Sequence, residues 1–68
     1  MKITRVHPQD DCWEVYLING VKYRIMRERA VYMENDEYGE FLDFLGRMIR
    51  SLDVNPEELE QYGFEKHE

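Results

Sequence analysis

Three side chains in this sequence have the chemistry of metal ligands, or of a nucleophile with its base: His7, Cys12 and His67. Their spacing supports neither use. The chain has no C-x-x-C, H-x-x-x-H or calcium-loop interval, and such intervals are what bring ligands around an ion. A Cys12–His7 pair would need a third group to orient the base and donors for an oxyanion, and neither stands at a recognisable interval. A chain this short also has little room to enclose a substrate pocket of about 300 Å³. Neighbouring carboxylates occur as Asp10-Asp11, Asp36-Glu37 and Glu57-Glu58. Acid–base work needs carboxyls in a shielded cleft, whereas these fall at loop and helix starts, where capping and the helix dipole account for them. The four glycines are isolated, so no phosphate-cradling loop is present. The expectation is a protein that is not an enzyme, with no catalytic residue, metal or cofactor.

Two charged sets remain, and they sit in different halves. Residues 1–33 carry six basic and four acidic groups; residues 34–68 carry three basic and eleven acidic. The halves are therefore +2 and −8 within a total of −6. The acidic set is Asp36, Glu37, Glu40, Asp43, Glu57, Glu58 and Glu60. Carboxylates spaced along rigid helices imitate a row of phosphates and suit a cationic groove. The expected partner is a larger protein with a basic, nucleic-acid-handling surface, met by a small acidic inhibitor or regulator of phage or mobile-element type. The ordinary alternative is a solvated helix face that keeps a small protein dispersed. The basic set is Lys22, Arg24, Arg27 and Arg29 with Tyr16 nearby. Cations among aromatics bind single-stranded nucleic acid, but the net negative charge disfavours direct binding. Self-association, as a structural or accessory homo-oligomer, is a further expectation. A domain of 68 residues buries a small core, and Phe44 lies at the margin of the helical apolar stripe described below.

These charges depend on the elements that carry them. In Glu34–Leu52, the residues Tyr38, Phe41, Leu42, Leu45, Met48, Ile49 and Leu52 recur every three or four positions, which predicts one amphipathic helix. Asp36, Glu40, Asp43, Arg47 and Arg50 fall opposite that stripe. Asn35 or Asp36 is the expected N-cap, and Asp43 can pair with Arg47 one turn on. Gly46 inside the helix costs up to about 1 kcal/mol relative to alanine, which close approach by another element would explain. A second, short helix is defined by local signals: Val54 before an Asn55 cap, Pro56 at the first position, Glu58 completing a capping box, and Gly63 stopping it with Phe64 folded back on Leu59.

The first half reads as β. Met1–His7 is a strand of mixed pattern ended by Pro8. Cys12–Arg27 is a hairpin about Asn19-Gly20. A two-residue turn would pair Tyr16 with Tyr23 and put Trp13, Val15 and Leu17 on one face with Lys22 and Arg24. A three-residue loop, Ile18-Asn19-Gly20, would pair Val15 with Tyr23 and Trp13 with Ile25. The second gathers six apolar residues on one face and leaves Glu14, Tyr16, Lys22 and Arg24 outside. It is preferred because a one-residue slip sends a whole apolar set to the wrong face. Ala30–Met33 reads as a further short strand, and Glu65–Glu68 as a tail.

The sum is a single α+β domain over residues 1–68, β-rich over 1–33 and helical over 34–64. Its expected architecture is a three- to four-stranded antiparallel meander packed against one amphipathic helix, with a short C-terminal helix. One cysteine excludes an internal disulfide, no apolar run approaches the roughly 20 residues of a membrane span, and residues 1–11 lack the apolar core of a signal peptide. A cytoplasmic location follows as the expectation.

Overall fold

The computed structural model describes residues 1–67. Its strands form one antiparallel sheet in the order β1-β2-β3-β4, with β1 at Ile3–Pro8, β2 at Cys12–Leu17, β3 at Lys22–Met26 and β4 at Glu65–His67. Three helices intervene between β3 and β4: α1 at Arg27–Val31, α2 at Asn35–Ser51 and α3 at Pro56–Gln61. The α+β class with its antiparallel sheet, long helix and short C-terminal helix is as expected. No helix among the described residues is long and apolar enough to cross a membrane.

The hairpin takes the register that alternation favours. Trp13 pairs with Ile25 and Val15 with Tyr23, Leu17 N–H donates to Val21 C=O at 3.0 Å, and Gly20 occupies the left-handed position at φ 87°. Burying Val15, Leu17, Tyr23 and Ile25 together outweighs the preference of Asn-Gly for a two-residue turn. The mixed pattern of β1 also has a physical basis. Its register shifts between Ile3 and Arg5, so Ile3 opposite Leu17 and Val6 opposite Val15 both face the core although they are three apart. A bulged residue, Thr4, absorbs the difference, and its Oγ1 donates to Tyr16 C=O at 3.2 Å.

Two segments differ from expectation. Ala30–Met33 is not a strand: Arg27–Val31 is a helical turn and a half that buries Ala30. Val31 and Tyr32 are exposed, so these β-formers have no pleated surface to pack on, and the good helix formers Arg27 to Ala30 prevail. Residues 1–33 are thus not uniformly β. The final residues are not a tail either. Glu65–His67 pairs with β3, Lys22 opposite His67 and Arg24 opposite Glu65; Glu68 lies outside the described residues. The fourth strand therefore comes from the C-terminal end.

The helix α3 starts and stops where its local signals place it, but among the described residues no hydrogen bond from Asn55 N–H to the Glu58 carboxylate completes the expected capping box. Asn55 Oδ1 accepts from Glu57 N–H at 3.0 Å, and Pro56 is the first helical residue. At the other end Phe64 N–H reaches Leu59 C=O and Gly63 N–H reaches Glu60 C=O, the paired bonds of a Schellman stop, with Gly63 at φ 101°. Capping of α2 differs. Glu34 is its N-cap, with no side-chain hydrogen bond, and Asn35 and Asp36 are already helical.

The rotation of α2 is the main surprise. Phe41, Phe44 and Met48 face the core, and Phe44 is 2% exposed. It is no leftover at the stripe's margin, because Tyr62 stacks on it with ring centroids 4.5 Å apart. Phe41 sits among Trp13, Tyr62 and Phe64 at 5.6, 6.4 and 6.1 Å. The other half of the expected stripe turns outward: Tyr38, Leu42, Ile49 and Leu52 are exposed at 38%, 45%, 53% and 47%. Leu45 is half-buried between the two sets. Neither Gly39 nor Gly46 meets a second element. A Cβ at Gly39 would touch nothing within 4 Å, and one at Gly46 only the flexible Arg50 side chain. Gly39→Ala is accordingly expected to stabilise the fold by about 0.5–1 kcal/mol, read by urea denaturation in dilute solution.

Candidate functional site

The two charged sets occupy different elements of the molecule, with Arg47 and Arg50 exposed on α2 alongside its acids. The sheet face away from the helices carries Arg5, His7, Glu14, Tyr16, Lys22 and Arg24, brought together because each alternates with a core residue and the strands are paired in register. Glu14 is its hub. It is 4% exposed, a carboxylate covered by its neighbours. Lys22 Nζ lies 3.1 Å and Arg24 Nε 3.5 Å from Glu14 Oε2. Gln9 Nε2 donates to Glu14 Oε1, the Tyr16 hydroxyl donates to the same oxygen at 3.4 Å, and His7 Nδ1 is 3.6 Å away. The hydrogen bond from Lys22, with the charges of Lys22 and Arg24, holds the Glu14 carboxyl below its ordinary value, against the opposing effect of burial. Sequence reasoning placed Glu14 outside with Lys22 and Arg24 but did not single it out. The signal was there: in the preferred register Glu14 stands directly opposite Arg24.

The four hairpin cations and Tyr16 are thus not one open basic stripe. Lys22, Arg24 and Tyr16 converge on Glu14. Arg27 leaves them: its Nε donates to Gln9 C=O at 2.7 Å and its guanidinium covers the Trp13 ring at 4.4 Å. Arg29 pairs with Glu65 at 3.5 Å.

The acidic set lies on the helices. Asp36, Glu37, Glu40 and Asp43 are exposed on α2, and Glu57 and Glu60 on α3; Glu58 is half-buried. Because Phe44 stacks on Tyr62 while Phe41 meets Tyr62 and Phe64, α3 runs back along α2. Glu37 and Glu40 therefore share a shallow groove with Gln61 and Tyr62. Glu58 is separated from them, in a wider concavity of about 490 Å³ that it lines with Arg47, Asp53 and Asn55. That concavity is open to solvent rather than enclosed. Among the described residues, no salt bridge engages any of the seven carboxylates. Asp43 and Arg47 do not form the pair their spacing permits; the Arg47 guanidinium lies 5.9 Å from the Phe44 ring centre instead.

Cys12 is buried at the start of β2. Burial pushes its thiol up, and Asp11 and Glu14 push the same way against Arg24, the reverse of what activates a nucleophilic cysteine. Among the described residues no group of three His, Cys, Asp or Glu side chains is placed to hold a metal. Compared with protein-family models, curated proteins and solved structures, the chain matches none.

Proposed function

We propose that the protein is a non-enzymatic binding module whose helical side occupies a basic surface on a larger, nucleic-acid-handling protein, as a small acidic inhibitor or regulator. One observation carries this reading. Lys22, Arg24, Arg27 and Arg29 face the chain's own acceptors, Glu14, Glu65 and the Gln9 carbonyl, while among the described residues no salt bridge engages the seven carboxylates of α2 and α3. A charge left unpaired on a rigid helix retains its field for a partner. A single-stranded nucleic acid on the hairpin gains less support, since Lys22 and Arg24 already face a buried carboxylate.

The test begins by capturing the partner from the source cell and titrating it against the protein across ionic strength. Affinity should fall steeply as the screening length shrinks from about 10 Å at 0.1 M salt to about 3 Å at 1 M. Replacing Asp36, Glu37, Glu40 and Asp43 by their amides should weaken binding about tenfold or more, each exposed pair contributing up to about 1 kcal/mol. The same neutralisation at Asp10, Asp11, Glu28 and Glu34 serves as a control of equal charge. A flat salt response, or equal losses in the two sets, would discard the acidic surface.

A further inference from the structure

The sheet ends at β1, and α2 runs along that open edge. Leu52 C=O accepts from Ile3 N–H at 2.8 Å, while Phe41 meets Trp13, the residue opposite Pro8. The helix is therefore antiparallel to an edge strand. Leu45 and Ile49 stand over Val6, Pro8 and Trp13 around a groove of about 290 Å³. Leu42, exposed at 45%, continues the same side of α2. The backbone beside this groove is unpaired. Gln9 N–H donates to Cys12 C=O at 2.8 Å, and hydrogen-bonded pairs alternate with non-bonded ones along an antiparallel ladder. Arg5 and His7 thus direct their backbone groups to β2, whereas Val6 N–H, Val6 C=O and Pro8 C=O point to the free edge. The start of the edge is closed where Lys2 bridges Asp53, but no hydrogen bond among the described residues engages Val6 from outside the sheet. An apolar line overhanging an unpaired strand is a place for one more strand. Backbone bonds hold it to β1, and alternate side chains enter the groove.

We propose that β1 and α2 form a docking site for an extended segment of a partner protein, added antiparallel to β1, with apolar residues opposite Pro8 and Val6 and an acidic residue opposite Arg5. Strand parity sets this pattern. A residue level with Val6 shares its face and enters the groove beside Leu45 and Ile49. A residue level with Arg5 lies on the outer face, next to that guanidinium. Arg5 is exposed, lies 5.7 Å from the Tyr16 ring centre, and is engaged by no salt bridge among the described residues. The strand itself carries no acid, so a carboxylate at this edge is matched and a second cation is opposed. A second copy of β1 fits poorly: pairing about Val6 would set Arg5 opposite the second copy's His7 with no acid at the junction. Pro8 has no N–H to offer, which limits the added strand to a few residues. Glu37 and Glu40 line a different groove, with Tyr62, so this site is separate from the acidic surface.

The probe is the capped hexapeptide Thr-Val-Thr-Ile-Glu-Thr, whose isoleucine and glutamate fall opposite Val6 and Arg5; Thr-Val-Thr-Ile-Lys-Thr is its charge-reversed control. Trp13, the one tryptophan, lines the groove and reports binding by fluorescence. The acidic peptide should bind with a dissociation constant of about 0.1–1 mM, and at saturation should slow hydrogen exchange at the Val6 N–H about tenfold. The lysine peptide should bind about tenfold more weakly, and Arg5→Glu should invert that preference. Ile49→Ser, at an exposed position, should weaken the acidic peptide about tenfold with unchanged far-ultraviolet circular dichroism. No fluorescence change up to about 10 mM acidic peptide would overturn the proposal. Equal binding of the two peptides, an unprotected Val6 N–H at saturation, or undiminished binding to Ile49→Ser would do the same. So would a dimer that protects the Val6 N–H without peptide, because a second copy would then hold the edge.

Discussion

Phe41→Ala should destabilise the protein by about 3–5 kcal/mol, which leaves about 2 kcal/mol or less of a total stability of the order of 5 kcal/mol. Phe41 is fully buried and ringed by Trp13, Tyr62 and Phe64. These neighbours come from β2 and from the two ends of the α3 stop, so no single element can move to fill the space. The residual cavity then adds its own cost to the lost transfer energy. A small domain cannot absorb such a loss, because it buries only roughly 60% of its unfolded surface. Urea denaturation followed by Trp13 fluorescence and circular dichroism measures it. Leu42→Ala, one residue along and half-exposed, should cost under about 1 kcal/mol when measured on dilute protein. If both substitutions cost the same, α2 is not rotated as described.

Removing the Glu14 carboxylate should give the largest loss among the polar substitutions. In Glu14→Ala, Lys22 and Arg24 become neighbouring like charges without their counter-ion, and Gln9 and Tyr16 lose an acceptor. Both cations are partly solvated, which moderates the loss relative to a wholly buried pair. Glu14→Gln should fall between, since it keeps an acceptor but not the charge. The pH dependence distinguishes charge from packing. The folded carboxyl lies below its ordinary value of 4.5, so its contribution is complete above about that pH and drains away as pH falls through the lower, folded value. Wild-type protein should therefore lose stability on this acid limb, and Glu14→Gln should show a shallower loss there. Identical acid limbs in the two proteins would mean that Glu14 is not ionised by its neighbours.

Where the sequence was legible, the deciding contacts lay within a few residues of one another or followed from strand parity. The Asn55 cap and the Gly63 stop of α3 are hydrogen bonds spanning two to five residues, and with the Pro56 start they read directly. The hairpin register followed from alternation, because only one pairing of β2 with β3 buries Val15, Leu17, Tyr23 and Ile25 together. With the register came the outward set of Glu14, Tyr16, Lys22 and Arg24, and hence the possibility of the Glu14 cluster. The existence of α2 and its acidic positions were equally plain. Less plain was α1, where β-forming Val31 and Tyr32 suggested a strand that has no neighbouring surface to pack on.

What the amino-acid order by itself determined was therefore the set of local elements, their caps, and which charges each would carry. Tertiary structure alone decided the rotation of α2, the recruitment of Glu65–His67 as a fourth strand, and the depth at which Glu14 sits. Apolar residues occupy almost half the circumference of α2, so periodicity admits more than one buried face. The choice falls to Tyr62 stacking on Phe44 and Trp13 meeting Phe41, contacts between residues 18 and 28 positions apart. Such pairings have no signature in a short window, because their energy is gained only once the sheet and α3 are already in place.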